Sequence, residues 1–271
     1  MTVNVTVVGA ATTSPIDIKA LPRAASIFDR ADLQKLGIAS VVDALRLLPG
    51  VDVRSRGPMD VQADFSLRGS TFSQNLILVD GVRINDSQSA HHNGEIPIEV
   101  GAIDHIEVVN GAGSSAHGAD ALGGVINIVT RRDSHAEIAG FAGEHRLFGF
   151  SGSAKTAERL APIVSGWYQR SDGFTFDREF AVGGGLIRGV IPNHLTYDVR
   201  HSRRSFGANG FYGNSPSKEW TDQTLASATL FGNGPQGWTW DLAGAYKNHG
   251  DHFRWDIARQ ILSDIEAGLN S

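Results

Sequence analysis

The rhythm of hydrophobic and polar positions changes near residue 132. Before that point, apolar residues come in short clusters broken by glycine, proline and polar turns. After it they fall into alternating segments of about ten residues, rich in glycine and aromatics, which reads as a series of strands. In the first half, Asp29 caps a short helix running to Leu36, with Gly37 as its stop. Ser40 and Asp43 form a capping-box pattern, and Val41, Leu45 and Leu48 line one helical face up to Pro49-Gly50. The apolar run 76–79, then Asp80-Gly81, then 82–84 is a hairpin signal of type I′, since Asp-Gly tolerates two successive positive φ angles.

Residues 103–132, IDHIEVVNGAGSSAHGADALGGVINIVTRR, read as strand, glycine-rich loop, strand. Gly111, Gly113, Gly118, Gly123 and Gly124 oppose a helix there, because each costs about 1 kcal/mol relative to alanine. In the second half, strands are expected near 136–143, 146–155, 161–170, 180–190, 195–205, 221–231 and 238–247, with a partial one over 264–271. The connections 156–160, 191–194 and 232–237 are short, whereas 171–179, 206–220 and 248–260 are long. Apart from the first hairpin, short and long alternate, as in transmembrane β-barrels with short turns on one side and longer loops on the other.

Composition narrows the classes. With 271 residues and 41% hydrophobic content the chain can bury a core. Its net charge of −5 opposes a nucleic-acid binder. It has no cysteine, which decides little. No run of 18 apolar residues offers a membrane-spanning helix. The first residues lack the basic and apolar regions of a signal peptide, pointing to numbering that starts after processing or to a missing N-terminus.

Three segments together are similar to the plug domain of TonB-dependent outer-membrane receptors. They are VDALRLLPGV at 42–51, SLRGSTFSQNLILVDGVRIN at 66–85, and the glycine loop. They lie in the family's order and cover roughly residues 3–132. Ala112 replaces the family's usual proline, and His117 its usual aromatic. The resemblance implies a TonB box and linker at 1–13, an α+β plug of small mixed sheet and short helices at 14–132, and antiparallel strands of a barrel at 133–271. Family barrels have about 22 strands, and eight strands cannot enclose a plug, so the barrel is incomplete and the chain reads as a fragment.

The resemblance also assigns roles. Val5, Thr6, Val7 and Val8 would add as a strand to TonB, the energy-coupling partner; the alternative is a plain first strand of the plug. Arg56, Asp60, Gln62, Asp86, Gln88, His91, His92 and Asn93 would line ligand-facing loops. Arg68, Gly69, Asp80, Gly81, Gly111, Gly118, Gly123 and Gly124 carry the plug signature, with Arg68 expected inside the sheet beside Asp80, Glu107 or a barrel carboxylate. The implied activity is energy-coupled uptake of cobalamin or a ferric siderophore across the outer membrane, without catalysis or cofactor. The loop at 205–220 leans the choice towards cobalamin. Adjacent His91 and His92 lack metal-ligand spacing, and Asp172 with Asp177 falls short of a calcium site. Trp167, Tyr168, Trp238, Trp240 and Tyr246 suit either an interfacial aromatic girdle or ordinary sheet packing.

A second reading remains open. Gly111, Gly113 and Ala116 fit the G-x-G-x-x-A dinucleotide fingerprint, with Asp133 downstream. That reading requires a helix opening at the second glycine, inside a parallel βαβ unit. No nucleophile elbow, H-E-x-x-H or P-loop appears elsewhere.

Overall fold

The computed structural model describes residues 7–8, 16–17, 24–111, 118–132, 136–155, 162–213 and 216–255. The chain divides into two compact units, Met1–Asp133 and Ser134–Ser271.

The first unit is built on a five-stranded mixed sheet. Its members are β3 (Ala25–Asp29), β6 (Asn75–Val79), β7 (Val82–Arg83), β8 (Ile103–Asn110) and β9 (Gly124–Thr130), in the order β3-β8-β9-β6-β7. β9 is central, antiparallel to β8 and parallel to β6. A short ladder joins β1 (Val7–Val8) to β2 (Ile16–Asp17), and another joins β4 (Val51–Ser55) to β5 (Ala63–Leu67).

The two helices form where their caps dictate. In α1 (Arg30–Lys35) the Asp29 carboxylate accepts from the Asp32 N–H at 2.9 Å, and Gly37 ends the helix with φ of +61°. In α2 (Val41–Arg46) Ser40 Oγ accepts from the Asp43 N–H at 3.0 Å. Val41, Val42, Ala44 and Leu45 are buried, the face that the i, i+3, i+4 spacing marks. The hairpin at Asp80-Gly81 has φ of +50° and +79°, as a type I′ turn requires.

The start of β9 depends on two glycines. A Cβ at Gly124 would lie 2.5 Å from the Val109 carbonyl oxygen, and one at Gly123 would lie 2.4 Å from Asn75 Oδ1. Asn75 is fully buried and uses its whole side chain. Its amide donates to the Phe65 and Thr71 carbonyls at 3.0 and 2.8 Å. Its oxygen accepts from Leu67 N–H at 3.2 Å and from Ser70 Oγ at 2.8 Å. This one side chain fastens β5 to β6 beneath the entry of β9.

The second unit is an open antiparallel sheet of β10 (Glu137–Ala142), β11 (Phe148–Lys155), β12 (Ile163–Ser171), β13 (Phe180–Ile191), β14 (Leu195–Gly207), β15 (Ser217–Asn233) and β16 (Thr239–Trp255). Neighbours in sequence are neighbours in space. The faces differ in character. One carries Ser165, Gln169, Arg188, Asp198, Arg200, Ser202, Arg204, Glu219 and Gln223, all buried. There Asp198 lies 2.8 Å from Arg200 Nε and 3.7 Å from Arg188. The other exposes Ile138 (91%), Phe150, Val164, Ile187, Val199, Leu230 and Leu242 (65%). Exposed large apolar side chains in a continuous field are foreign to a sheet bathed in water, and this is the alternation of a lipid-facing wall.

Two expectations change. β15 and β16 each run 17 residues, absorbing much of the loops expected at 206–220 and 248–260. Polar outer residues such as Lys218, His252 and Arg254 imitate a loop signal while keeping strand alternation. Trp167 is buried on the polar face, its ring in the space left by Gly184, so it is no girdle residue. The partial strand expected at 264–271 lies outside the described residues. Among the described residues no helix is long and apolar enough to span a membrane, which says nothing about strands.

Replacing Asn75 by alanine should remove four hydrogen bonds, the buried one to the Phe65 carbonyl among them, at a cost of about 2 kcal/mol. Hydrogen exchange should then quicken by roughly 30-fold at the amides of Leu76–Val79 and Val125–Ile128, while β12–β14 amides keep their protection.

Candidate functional site

Val7 and Val8 form β1, paired with Asp17 and Ile16 of β2; Val5 and Thr6 lie outside the described residues. The remaining expected positions gather on loops around β5, β6 and the turn preceding β8.

Asp64, in β5, is a centre that the sequence reading missed. Its carboxylate meets His91 Nδ1 at 2.8 Å and Arg56 at 3.8 Å. The His91 ring stacks on Phe72 with centroids 4.5 Å apart. Phe72, His91 and Arg56 are all half-buried. A cation, an imidazole and a half-buried aromatic ring therefore share one patch. No period in the sequence marked Asp64, because four of the five residues of β5 are buried and alternation is lost.

Other expected loop residues do structural work. Asp60 is buried, and its Oδ1 accepts from the Val42 N–H at 3.0 Å, inside the first turn of α2. Gln62 is buried, and its carbonyl accepts from the Arg56 N–H at 2.9 Å. His92 meets Glu95 at 2.8 Å, both buried. Asn93 Oδ1 accepts from the Asp86 N–H at 2.7 Å, and Asp86 Oδ1 accepts from the Gln88 and Ser89 N–H groups at 2.9 Å each. Gln88 is exposed. The adjacent histidines thus engage different carboxylates, His91 with Asp64 and His92 with Glu95.

Among the signature residues, Arg68 departs from expectation. It is exposed, in a left-handed turn with φ of +51° followed by Gly69 at +76°, and its N–H donates to the Gly50 carbonyl at 3.2 Å. The chain must reverse after β5, which turns the Arg68 side chain away from the sheet. Asp80 instead accepts from Thr130 twice, from its N–H at 2.9 Å and its hydroxyl at 2.7 Å. Gly111 and Gly118 hold φ near +88° and +89° on either side of a segment outside the described residues. Arg83 pairs with Asp120 just after it.

A polar chain crosses this sheet. Gly81 N–H donates to Asn127 Oδ1 at 3.1 Å, and Asn127 Nδ2 donates to Glu107 Oε2 at 2.9 Å. Glu107 Oε1 lies 3.3 Å from His105 Nε2, and Asp104 lies 2.7 Å from His105 Nδ1. Hydrogen bonding to Glu107 raises the His105 pKa above its ordinary 6.5; burial opposes this, and Asp104 adds to it. The longer contact has the larger effect because Glu107 is buried whereas Asp104 is screened by solvent.

The dinucleotide reading fails on topology. β8 and β9, the strands flanking the glycine loop, are antiparallel neighbours, whereas a βαβ unit needs parallel ones. Residues 119–121 form one 3-10 turn, and β9 begins at Gly124, leaving no room for a crossover helix. Gly113 and Ala116 themselves lie outside the described residues.

Comparison with known proteins agrees with the geometry. The family model of the TonB-dependent receptor plug domain matches residues 17–125. The chain is 31% identical over 182 residues to the vitamin B12 transporter BtuB of Vibrio vulnificus, a match covering 65% of this chain and 29% of that protein. It is 40% identical over 122 residues to the iron-regulated outer membrane virulence protein of Vibrio cholerae, covering 43% and 18%. This chain therefore spans less than a third of those relatives. The pyoverdine receptor FpvA of Pseudomonas aeruginosa superposes with a TM-score of 0.71 at 18% identity, over 92% of this chain and 37% of that one. The alcaligin receptor FauA of Bordetella pertussis gives 0.68 over 92% and 42%, also at 18% identity. These relatives are transporters and receptors, not enzymes, and the solved structures share the fold of a plug followed by barrel strands.

Because His105 has a raised pKa, its protonated form is the one that stabilises the fold. That contribution is complete below about pH 6.5 and is lost as pH rises through the higher folded value. Urea titrations should therefore show His105→Gln less stable than the parent at pH 5.5, with the gap narrowing at alkaline pH.

Proposed function

We propose that the chain is part of a TonB-dependent receptor and serves energy-coupled uptake of a scarce nutrient across the bacterial outer membrane. The ligand class is cobalamin or a ferric siderophore, and the energy comes through the periplasmic domain of TonB. The observation that carries this reading is the pairing of a matched plug domain with a sheet whose one face is apolar and exposed and whose other face is polar and buried.

The coupling step suits the N-terminal segment. Val5, Thr6, Val7 and Val8 are β-prone in sequence, and Val7–Val8 is held by a ladder of only two pairs. So short a pairing is exchanged cheaply for a strand of a partner, whose main-chain hydrogen bonds replace those lost. Pulling there rearranges the plug and opens a path for the ligand. On the ligand side, Phe72, His91 and Arg56 offer an aromatic face beside positive charge, which fits a bulky anionic or polarisable chelate. Selection between corrin and siderophore uses barrel loops as well, among them 208–216, where Phe211 stacks on Phe206 and the Arg178 guanidinium lies 4.5 Å from the Phe211 ring centroid.

Deleting Val5–Val8 in cells that express the full-length protein should abolish uptake of labelled cobalamin and ferric siderophore while leaving binding at the cell surface unchanged. Uptake that survives the deletion contradicts TonB coupling. Loss of binding contradicts the division of labour between the N-terminal segment and the plug loops.

A further inference from the structure

His105 stands where β8 is irregular. The ladder to β9 pairs Ile103 with Thr130 and His105 with Val129, so Asp104 is an extra residue without a partner there. Such a bulge re-aims the side chains on either side of it. Here the Asp104 carboxylate reaches the His105 ring at Nδ1, 2.7 Å away, and Glu107 reaches it at Nε2, 3.3 Å away. Each ring nitrogen thus faces a carboxylate oxygen. An ionised carboxylate only accepts, and a neutral imidazole has a single N–H. Both contacts are hydrogen bonds only when the ring is an imidazolium.

The two acceptors are not equivalent. Glu107 is buried, whereas the Asp104 side chain is 56% exposed. An exposed carboxylate that loses its donor is solvated by water, but a buried one is left with an unmet charge. When the ring gives up one proton, the other therefore stays on Nε2, and Asp104 lets go. Neighbouring elements bring further charges to this end of β8, each with contacts of its own. Asp29, opposite His105 on β3, caps α1 through the Asp32 N–H. Arg30 of α1 donates to the Gly101 and Ile103 carbonyls, and Arg131, just past β9, donates its N–H to the Ala102 carbonyl. The charges that act on the ring are those of Glu107 and Asp104.

We infer that His105 is a proton-operated clasp. Protonated, it ties the bulge residue Asp104 to the buried Glu107; neutral, it keeps Glu107, releases Asp104 and frees the bulge at the start of β8. Because Glu107 raises its pKa above the ordinary 6.5, the clasp is closed in acid and opens on the alkaline side of that value. Its position gives it a task. β3 is an edge strand of the sheet, and force entering through the N-terminal segment reaches the sheet there. The β3–β8 ladder runs from Ala25–Val109 to Asp29–His105, so a strand peeled from its start meets the clasp at the last pair. Beyond that pair, Arg30 fastens α1 to the Gly101 and Ile103 carbonyls at 2.8 and 3.3 Å. A closed clasp confines peeling to β3, and an open one lets it pass to α1 and the turn before β8. This task rests on the coupling of the N-terminal segment to TonB; the clasp itself does not.

The test uses the full-length protein in detergent with its histidine nitrogens isotopically labelled, His105 being assigned by the signal lost in His105→Gln. Nitrogen chemical shifts read protonation and tautomer separately. We expect the imidazolium at pH 5.5 and the Nε2–H tautomer at pH 8.5. Hydrogen exchange over residues 99–106, corrected for the intrinsic effect of pH, should be about fivefold faster at pH 8.5 than at pH 5.5. In Asp104→Asn that ratio should fall close to unity, because an amide both donates and accepts and so suits either form of the ring. Asp104 is exposed, so this variant keeps the fold. An Nδ1–H tautomer at pH 8.5 overturns the proposal, as does the same exchange ratio in the parent and Asp104→Asn. Uptake is scored separately. If deleting Val5–Val8 leaves uptake intact while the ring and the exchange behave as expected, the coupling reading fails and the clasp stands.

Discussion

The first unit depends on how closely β9 approaches its neighbours. A strand pushed between an antiparallel partner and a parallel one must satisfy both ladders from its first residue. At Gly123 and Gly124 the space is so small that a single methyl group would collide with Asn75 and with the Val109 carbonyl. Asn75 completes the arrangement by binding two carbonyls, one amide and one hydroxyl from β5 and the turn after it. A buried amide with every valence used is stable, whereas one left short costs more than it returns. Sheet order, the Asp80–Thr130 clasp and the His105–Glu107–Asn127 chain all rest on that seating.

The second unit obeys a different constraint. Its apolar side chains point outwards, and its charged ones, Arg188, Asp198, Arg200 and Arg204, are buried on the opposite face. Such inversion is unfavourable in water and favourable where the surrounding solvent is hydrocarbon, since every backbone group between the two edges is already paired within the sheet. Strand length follows from the same logic. The long β15 and β16 outrun the apolar band, and their distal outer positions change to arginine, lysine, histidine and tryptophan.

Much of this was legible in the sequence, for reasons that differ by element. The caps at Asp29 and Ser40 and the Asp80-Gly81 turn act through one or two residues, so local chemistry reveals them. The plug motif was legible because its glycines answer steric demands that no other residue meets. The α+β plug followed by an incomplete barrel matches the observed sheets. Arg68 was misjudged because its left-handed turn is set by β5, a strand too uniformly buried to leave a period. Trp167 was misassigned because an aromatic in a strand has no preferred face until register is known. The Asp64–His91–Phe72 cluster joins residues from three separate segments, and nothing local to any of them announces the meeting. Residues 217–220 of β15 and 248–255 of β16 were read as loops because polarity there comes from the environment of the strand, not from the backbone.

The central claim is that the apolar face of β10–β16 lies in lipid. The chain contains no cysteine, so single cysteines carrying nitroxide labels can be introduced at Val164, Ile187, Val199 and Leu230 on that face and at Ser165, Leu186 and Ser227 on the other. In lipid vesicles the first set should be accessible to oxygen and shielded from a water-soluble nickel complex, with the preference lost one residue along each strand. Equal accessibility on both faces, or nickel reaching the first set freely, would contradict the account.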